Sequence, residues 1–206
     1  MNDFDATMRR GGDSALQEAA KFFMGTDPVH HALRAIAGRL EELGIPYAVA
    51  GGMALVAHGY DRTTVDVDIL LTTEGHAKAR SQLDGLGYVP LFQNSKNFRD
   101  TQTGVRIDFL ISGQFPGDGK PKPVAFPDPD SAGVVIEGVR YLKLEKLIEL
   151  KLASGMTNPG RLKDLADVQE LIRVLKLGDD FASRLDPYVR VKFAELRKGV
   201  ESDPGE

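Results

Sequence analysis

The segment YAVAGGMALVAHGYDRTTVDVDILL, residues 47–71, constrains the fold of this chain more than any other stretch. Its second half alternates. Side chains on a β-strand point to opposite faces in turn, so Val65, Val67, Ile69 and Leu71 share one face and Asp66 and Asp68 the other. Asp is depleted in strands, and two carboxylates on one half-buried face repel each other. A divalent cation is a natural compensation, because Mg²⁺ takes carboxylate oxygens together with substrate phosphates. The plainer reading is a solvent-facing strand that carries Asp. The apolar residues on either side of the pair argue against it.

The stretch VRIDFLI, residues 105–111, repeats the logic. Val105, Ile107, Phe109 and Ile111 point one way; Arg106, Asp108 and Leu110 point the other. If the two strands are neighbours, Asp108 joins Asp66 and Asp68 as a third ligand. Three convergent carboxylates are the usual equipment of two-metal phosphoryl chemistry. Upstream, Gly51-Gly52 follows an apolar strand, Ile45–Ala50, and opens a short helix, Met53–His58. Glycines let backbone N–H groups approach an anion closely, and the start of a helix favours phosphate. A ligand-free strand-to-helix turn would use the same two glycines. The Asp-x-Asp strand downstream tips the balance towards phosphate.

Composition narrows the setting. A chain of 206 residues suits one domain, or one domain with a small appendage. A hydrophobic fraction of 42% is enough for a packed core, which excludes wholesale disorder. With no cysteine there is no disulfide framework, no Cys-ligated zinc and no thiol nucleophile. Lys and Arg number 26 against 30 Asp and Glu, so global charge does not advertise a nucleic-acid partner. The N-terminal MNDFDATMRRGGD lacks the apolar run of a signal peptide, and no window approaches the ~20 apolar residues of a membrane helix. A cytoplasmic protein with no membrane partner is expected.

Along the chain, residues 1–27 read as an N-terminal extension with a short helix at Ser14–Phe23. Residues 28–141 read as the core, 142–200 as a helical C-terminal cap and 201–206 as a tail. Asp27-Pro28 is a helix-start signal, and Leu33, Ile36, Ala37, Leu40 and Leu43 recur at helical spacing until Gly44. Further strands are expected at Thr63–Leu71 and Val105–Ile111, with weaker signals at Tyr88–Phe92 and Asn97–Asp100, and a helix at Glu74–Leu86. Prolines at 116, 121, 123, 127 and 129 mark residues 112–130 as a long, exposed, mobile loop. Glu137-Gly138 predicts a hairpin turn. From Leu144 the chain is helical, with breaks near 155–160 and 178, and Asp186-Pro187 opens the last helix. The fold class is α/β (α+β), a core of strands mixed with helices followed by the cap.

The cap carries charges where an apolar stripe is expected. Leu144, Leu147, Ile148 and Leu152 form the stripe, and Lys151 falls in its middle. An inward Lys needs a carboxylate or a phosphate, unless it snorkels past the stripe edge. In the next helix Asp164 and Asp167 lie towards the apolar side defined by Val168, Leu171, Ile172 and Leu175, although the helix dipole alone would also favour Asp164 near the N-terminus. Arg62 stands just ahead of the Asp-x-Asp strand, where it would reach a triphosphate or make a structural ion pair. The basic residues of Arg184–Lys198 offer either an RNA-facing surface or a solvated helix face. His58 ends the short helix beside the glycine turn, and a dipole-held C-terminal histidine is its plainer role.

The set Gly51-Gly52, thirteen residues, then Asp66-Val67-Asp68-Ile69 and a later Asp108 resembles the nucleotidyltransferase superfamily typified by DNA polymerase beta. HGYDRTTVDVDILL and YLKLEKLIELKLASG…RLKDLADVQEL are similar to its small bacterial branch, the minimal nucleotidyltransferases and AbiEii-type toxins of toxin–antitoxin systems. The resemblance spans Pro28 to Leu175. Many members place Ser at or just after the second glycine; this chain has Gly52 and Met53, which leaves the backbone donors without that hydroxyl.

The resemblance implies a mixed-sheet nucleotidyltransferase core. It implies two Mg²⁺ (or Mn²⁺) on Asp66, Asp68 and Asp108, these three being catalytic, and nucleotide binding by Gly51, Gly52, Arg62 and Lys151, with Lys163 and Asp164 supporting nucleotide or acceptor binding or helping to pair Lys151. It implies an NTP substrate and an acceptor hydroxyl on a tRNA 3′ end, a protein or a small molecule, with an antitoxin as a further partner. The alternative is a non-catalytic nucleotide- or partner-binding module on the same fold. A carboxylate-metal nuclease or phosphatase is disfavoured by the Gly-Gly turn.

Overall fold

The computed structural model describes Thr7 and residues 12–202. Residues 1–6 and 8–11 of the expected extension, and 203–206 of the expected tail, lie outside the described residues. In chain order the strands are β1 (Tyr47–Ala50), β2 (Asp66–Leu71), β3 (Tyr88–Pro90), β4 (Phe98–Asp100), β5 (Arg106–Ile111), β6 (Gly133–Ile136) and β7 (Val139–Leu142). They lie side by side in the order β3-β4-β5-β2-β1-β7-β6. The two alternating, Asp-bearing segments therefore meet at the centre of the sheet. β2 pairs antiparallel with β1 and parallel with β5, with Asp66 opposite Arg106 and Asp68 opposite Asp108. In parallel strands paired without offset, residues of like parity share a face, which puts all three carboxylates on the same side.

The other face is the core. Val67, Ile69, Ile107 and Phe109 are fully buried there. The helices are α1 (Gly12–Phe23), α2 (Pro28–Glu42), α3 (Gly51–Ala57), α4 (Thr73–Leu83), α5 (Pro129–Ala132), α6 (Leu144–Thr157), α7 (Leu162–Leu175), α8 (Asp179–Arg184) and α9 (Pro187–Ser202). α2 packs on β2 and β7, and α4 on β2 and β5. Burying a side chain of this size contributes roughly 1.5–3 kcal/mol, which fixes the register and so the position of the acidic face. α2 starts where the sequence signals it: the Asp27 carboxylate accepts from the Val29 and His30 amides. α1 is docked rather than free, with Phe22 buried and lying edge-on to the His30 ring.

Three expectations are adjusted. The strand expected from Thr63 begins at Asp66, because β1 runs out opposite Asp68 and residues 63–65 have no partner on that side. The helix expected to reach Leu86 ends at Leu83. The proline-rich stretch is not a free exposed loop. The Gly113 amide donates to the Phe126 carbonyl and the Phe126 amide to the Gln114 carbonyl, Pro116 and Val124 are buried, and Asn158 Nδ2 donates to the Gly117 carbonyl. Its apolar residues, spread among the prolines, give it something to bury. The hairpin between β6 and β7 forms as expected, with both Glu137 and Gly138 at positive φ. The chain from Leu144 onward is helical, with α6, α7 and α9 packed on one another. Among the described residues no helix is long and apolar enough to cross a membrane.

Candidate active site

The acidic face of β2 and β5 opens into a cleft of about 640 Å³, bounded by the glycine turn, residues 62–66, the 112–128 loop, α6 and the start of α7. The turn is built against the carboxylates. Gly51 has φ of +56°, and a Cβ placed on it would lie 1.8 Å from Asp68 Oδ2. A Cβ on Gly52 would lie 2.6 Å from Thr64 Oγ1. Neither position has room for a side chain, so the backbone itself faces the acids.

The electrostatics are those of crowded negative charge. Burial, with the nearby Asp66 and Asp108 carboxylates adding to it, pushes the Asp68 carboxyl up to about 7. Burial also raises Asp108, although Arg106 Nε donates to its Oδ1 at 2.6 Å and opposes the shift. Asp66 Oδ1 accepts from Thr64 Oγ1 at 2.8 Å. Among the described residues no three His, Asp or Glu side chains form a ready-made metal cage. Mg²⁺ does not require one, since it keeps waters and completes its shell with substrate phosphates. Two hard-oxygen carboxylates in register, with a third beside them and Asp68 short of compensating charge, fit such an ion.

The opposite wall is the cap. Lys151, 8% exposed, donates to Asp164 at 3.0 Å and to Asp167 at 2.7 Å. Arg62 Nη1 reaches both oxygens of Asp167 at 2.9 Å, and Ser154 Oγ donates to Asp164 Oδ2 at 2.7 Å. This network joins residues 62–66 of the sheet side to α6 and α7. Removing one partner of a buried ion pair leaves the others uncompensated, at a cost of about 3–5 kcal/mol. Lys151→Met is therefore expected to lower the unfolding free energy measured in urea by an amount of that order, and an unchanged value would contradict the network's structural weight.

All nine residues singled out from the sequence (Gly51, Gly52, Arg62, Asp66, Asp68, Asp108, Lys151, Lys163 and Asp164) line this cleft. Their states differ. Arg62 and Lys151 are held in ion pairs, whereas Lys163, Arg161 and Lys96 have no ion-pair partner among the described residues. Thr64, Lys96 and Ser154 did not stand out in the sequence, and Arg161, which opens the RLKDLADVQEL segment, carried no assigned role there. For Thr64 the available signal was its position two residues ahead of Asp66. Met53 is buried in the core and does not line the cleft. Nor does His58, which caps α3 and bonds the Leu142 carbonyl. The basic residues of α8 and α9 are mostly engaged within the chain, Arg184 with Glu145, Lys192 with Glu195, and Arg197 with Asp179 and Glu201. That is the solvated-face alternative rather than an open cationic surface.

No family model and no curated protein matches the chain. Solved structures do. The antibiotic-resistance factor ANT(2″)-Ia in solution has a TM-score of 0.52 at 17% identity, covering 84% of this chain and 95% of the other. Its crystal structure with adenylyl-2″-tobramycin has a TM-score of 0.50 at 17% identity, covering 85% and 96%. An antigenic nucleotidyltransferase-like protein from Paracoccidioides brasiliensis has a TM-score of 0.52 at 16% identity, covering 84% and 88%. The chain has the nucleotidyltransferase fold.

Proposed function

We propose that this chain is a metal-dependent nucleotidyltransferase that moves a nucleoside monophosphate from an NTP to an acceptor hydroxyl and releases pyrophosphate. The observation that carries the reading is the pairing of Asp66, Asp68 and Asp108 on one sheet face with a glycine turn pressed against Asp68. Asp66, Asp68 and Asp108 would hold Mg²⁺ or Mn²⁺, which when bound supplies charge stabilisation for the α-phosphoryl group. Gly51 and Gly52 present backbone N–H groups to the triphosphate. Asp108, on the same face, would accept the proton of the acceptor hydroxyl. The new bond joins the acceptor oxygen to the α-phosphorus; the bond to the β-phosphate bridge breaks, and pyrophosphate leaves. The protein contributes position and charge rather than covalent chemistry.

Lys163 in the first turn of α7 and Arg161 just before it, which have no ion-pair partner among the described residues, are assigned to the phosphates, with Arg62, Lys151 and Asp164 holding that wall in place. The double variant Arg161→Ala/Lys163→Ala is expected to raise KM for the NTP about 10-fold or more with a smaller change in kcat. An unchanged KM removes them from the site.

The acceptor is narrowed by charge. The cleft is lined by five Lys or Arg and five Asp side chains. Once metal ions offset the triphosphate, no negative surplus is left to attract a polycation. This favours an uncharged hydroxyl at the acceptor position, on a tRNA 3′ end, a protein or a small molecule, over a polycation such as the aminoglycoside part of the adenylyl-2″-tobramycin bound by ANT(2″)-Ia. A toxin–antitoxin setting, with a partner protein that silences the cleft, is the context the sequence resemblance suggests. The test is incubation with Mg²⁺, each α-labelled NTP, and in turn total tRNA, proteins and aminoglycosides. Pyrophosphate release with label on an acceptor supports the reading. NTP binding without either product supports the non-catalytic module instead.

A further inference from the structure

Thr64 is a buried polar residue on the cleft wall, 6% exposed, and it touches both halves of the proposed machinery. Its hydroxyl donates to Asp66 Oδ1 at 2.8 Å. Its Cβ and Oγ1 fill the space above Gly52, lying 2.7 and 2.6 Å from where a residue-52 Cβ would stand. One side chain thus rests on the glycine turn and holds one carboxylate oxygen. The segment it belongs to is anchored at its start by Arg62, which grips Asp167 of α7 and donates through Nε to the Thr63 carbonyl at 3.3 Å.

We propose that Thr64 is a positioning residue that sets the rotamer of Asp66 relative to the glycine turn, leaving Asp66 Oδ2 directed at the shared face with Asp68 and Asp108. The inference rests on the nucleotidyltransferase reading for its consequence in catalysis, but its geometry does not. An Asp side chain on a strand face has two broad choices of carboxyl plane. A neighbouring carboxylate two residues away would drive it outward by repulsion. The Thr64 hydroxyl removes that freedom with a hydrogen bond to a charged acceptor, and the packing against Gly52 removes the freedom of Thr64 itself. The glycine turn and the first carboxylate then move as one unit. Partners that orient a metal-binding carboxylate are worth about 10–100-fold in metal affinity or activity.

The pair Thr64→Val and Thr64→Ser separates the hydroxyl from the shape. Val keeps the volume above Gly52 and removes the donor; Ser keeps the donor. Mn²⁺ binding is followed by electron paramagnetic resonance on the whole protein without nucleotide, and NMP transfer is followed separately. Thr64→Val is expected to weaken Mn²⁺ binding about 10-fold or more and to lower kcat by a similar factor, with KM for the NTP little changed. Thr64→Ser is expected to stay within about 3-fold of the parent on both. Should Thr64→Val not fold, Thr64→Ala carries the same test. Parent-like Mn²⁺ binding by a folded Val or Ala variant overturns the proposal, as does a parent protein that binds no Mn²⁺. A parent that binds Mn²⁺ in a Thr64-dependent way yet transfers nothing leaves the positioning role standing and removes the transferase reading alone.

Discussion

Asp68→Asn is expected to abolish nucleotide transfer, by about 10³-fold or more, while making the metal-free protein more stable at pH 8. The two effects have one cause. Burial, with the Asp66 and Asp108 carboxylates, raises Asp68 to about 7 in the folded chain from 3.8. A carboxyl with a raised folded pKa binds its proton more tightly in the native state than in the unfolded state. Its contribution to stability is complete below about pH 4 and is lost as pH rises through about 7. The raised Asp108 acts in the same direction. In chelator, the urea midpoint of the parent should therefore fall between pH 5 and pH 8, and Mg²⁺ should restore most of the loss by replacing the proton with a cation. Asp68→Asn should flatten the fall and blunt the response to Mg²⁺. A variant that is no more stable than the parent at pH 8 would mean that Asp68 carries no uncompensated charge.

Gly51→Ala is expected to be the most damaging single-methyl change in the molecule. Its φ of +56° strains any L side chain, and the new Cβ would sit 1.8 Å from Asp68 Oδ2 and 2.6 Å from its Cγ. Asp68 is itself confined by the pairing of β2 with β1 and β5. Either the turn shifts or the carboxylate does, and both displace a proposed substrate contact. Backbone strain of about 1–3 kcal/mol and overpacking of similar size should lower the urea midpoint. Transfer should fall about 10²-fold or more, since a displacement near 1 Å can cost that much. A Gly51→Ala protein that is stable and active would show that the turn is a passive connection.

The acidic face was legible in the sequence because it is a local property of two strands with a period of two. Asp66, Asp68 and Asp108 needed only the condition that β2 and β5 be neighbours, which their apolar faces favoured. The glycine turn was legible for a similar reason, as a break between an apolar strand and a short helix. Lys151 stood out as a charge inside a helical stripe, and its partners Asp164 and Asp167 were flagged by the same periodicity. What the sequence left open depends on contacts across long separations. That Arg62 is spent on Asp167, 105 residues away, while Lys163 has no ion-pair partner among the described residues, follows from how α7 docks on the sheet side. Thr64 reads as an ordinary residue of a Thr-Thr pair until Gly52 is seen beneath it. The proline-rich segment reads as a free loop because proline content reports only local conformation. Its docking comes from Pro116, Val124 and the closeness of Gly117 to Ser154 and Thr157.

Metal-dependent NMP transfer by the Asp66–Asp68–Asp108 face is open to a labelling experiment. The same NTP is labelled at the α- or the γ-phosphate, and the parent is compared with Asp66→Ala, in Mg²⁺ and in chelator, with total tRNA and small hydroxyl acceptors present. The predicted result is acceptor carrying the α-label only, γ-label released as pyrophosphate, and no transfer in chelator or in Asp66→Ala. Transfer that survives Asp66→Ala or chelation, or γ-label appearing on the acceptor, would contradict the account.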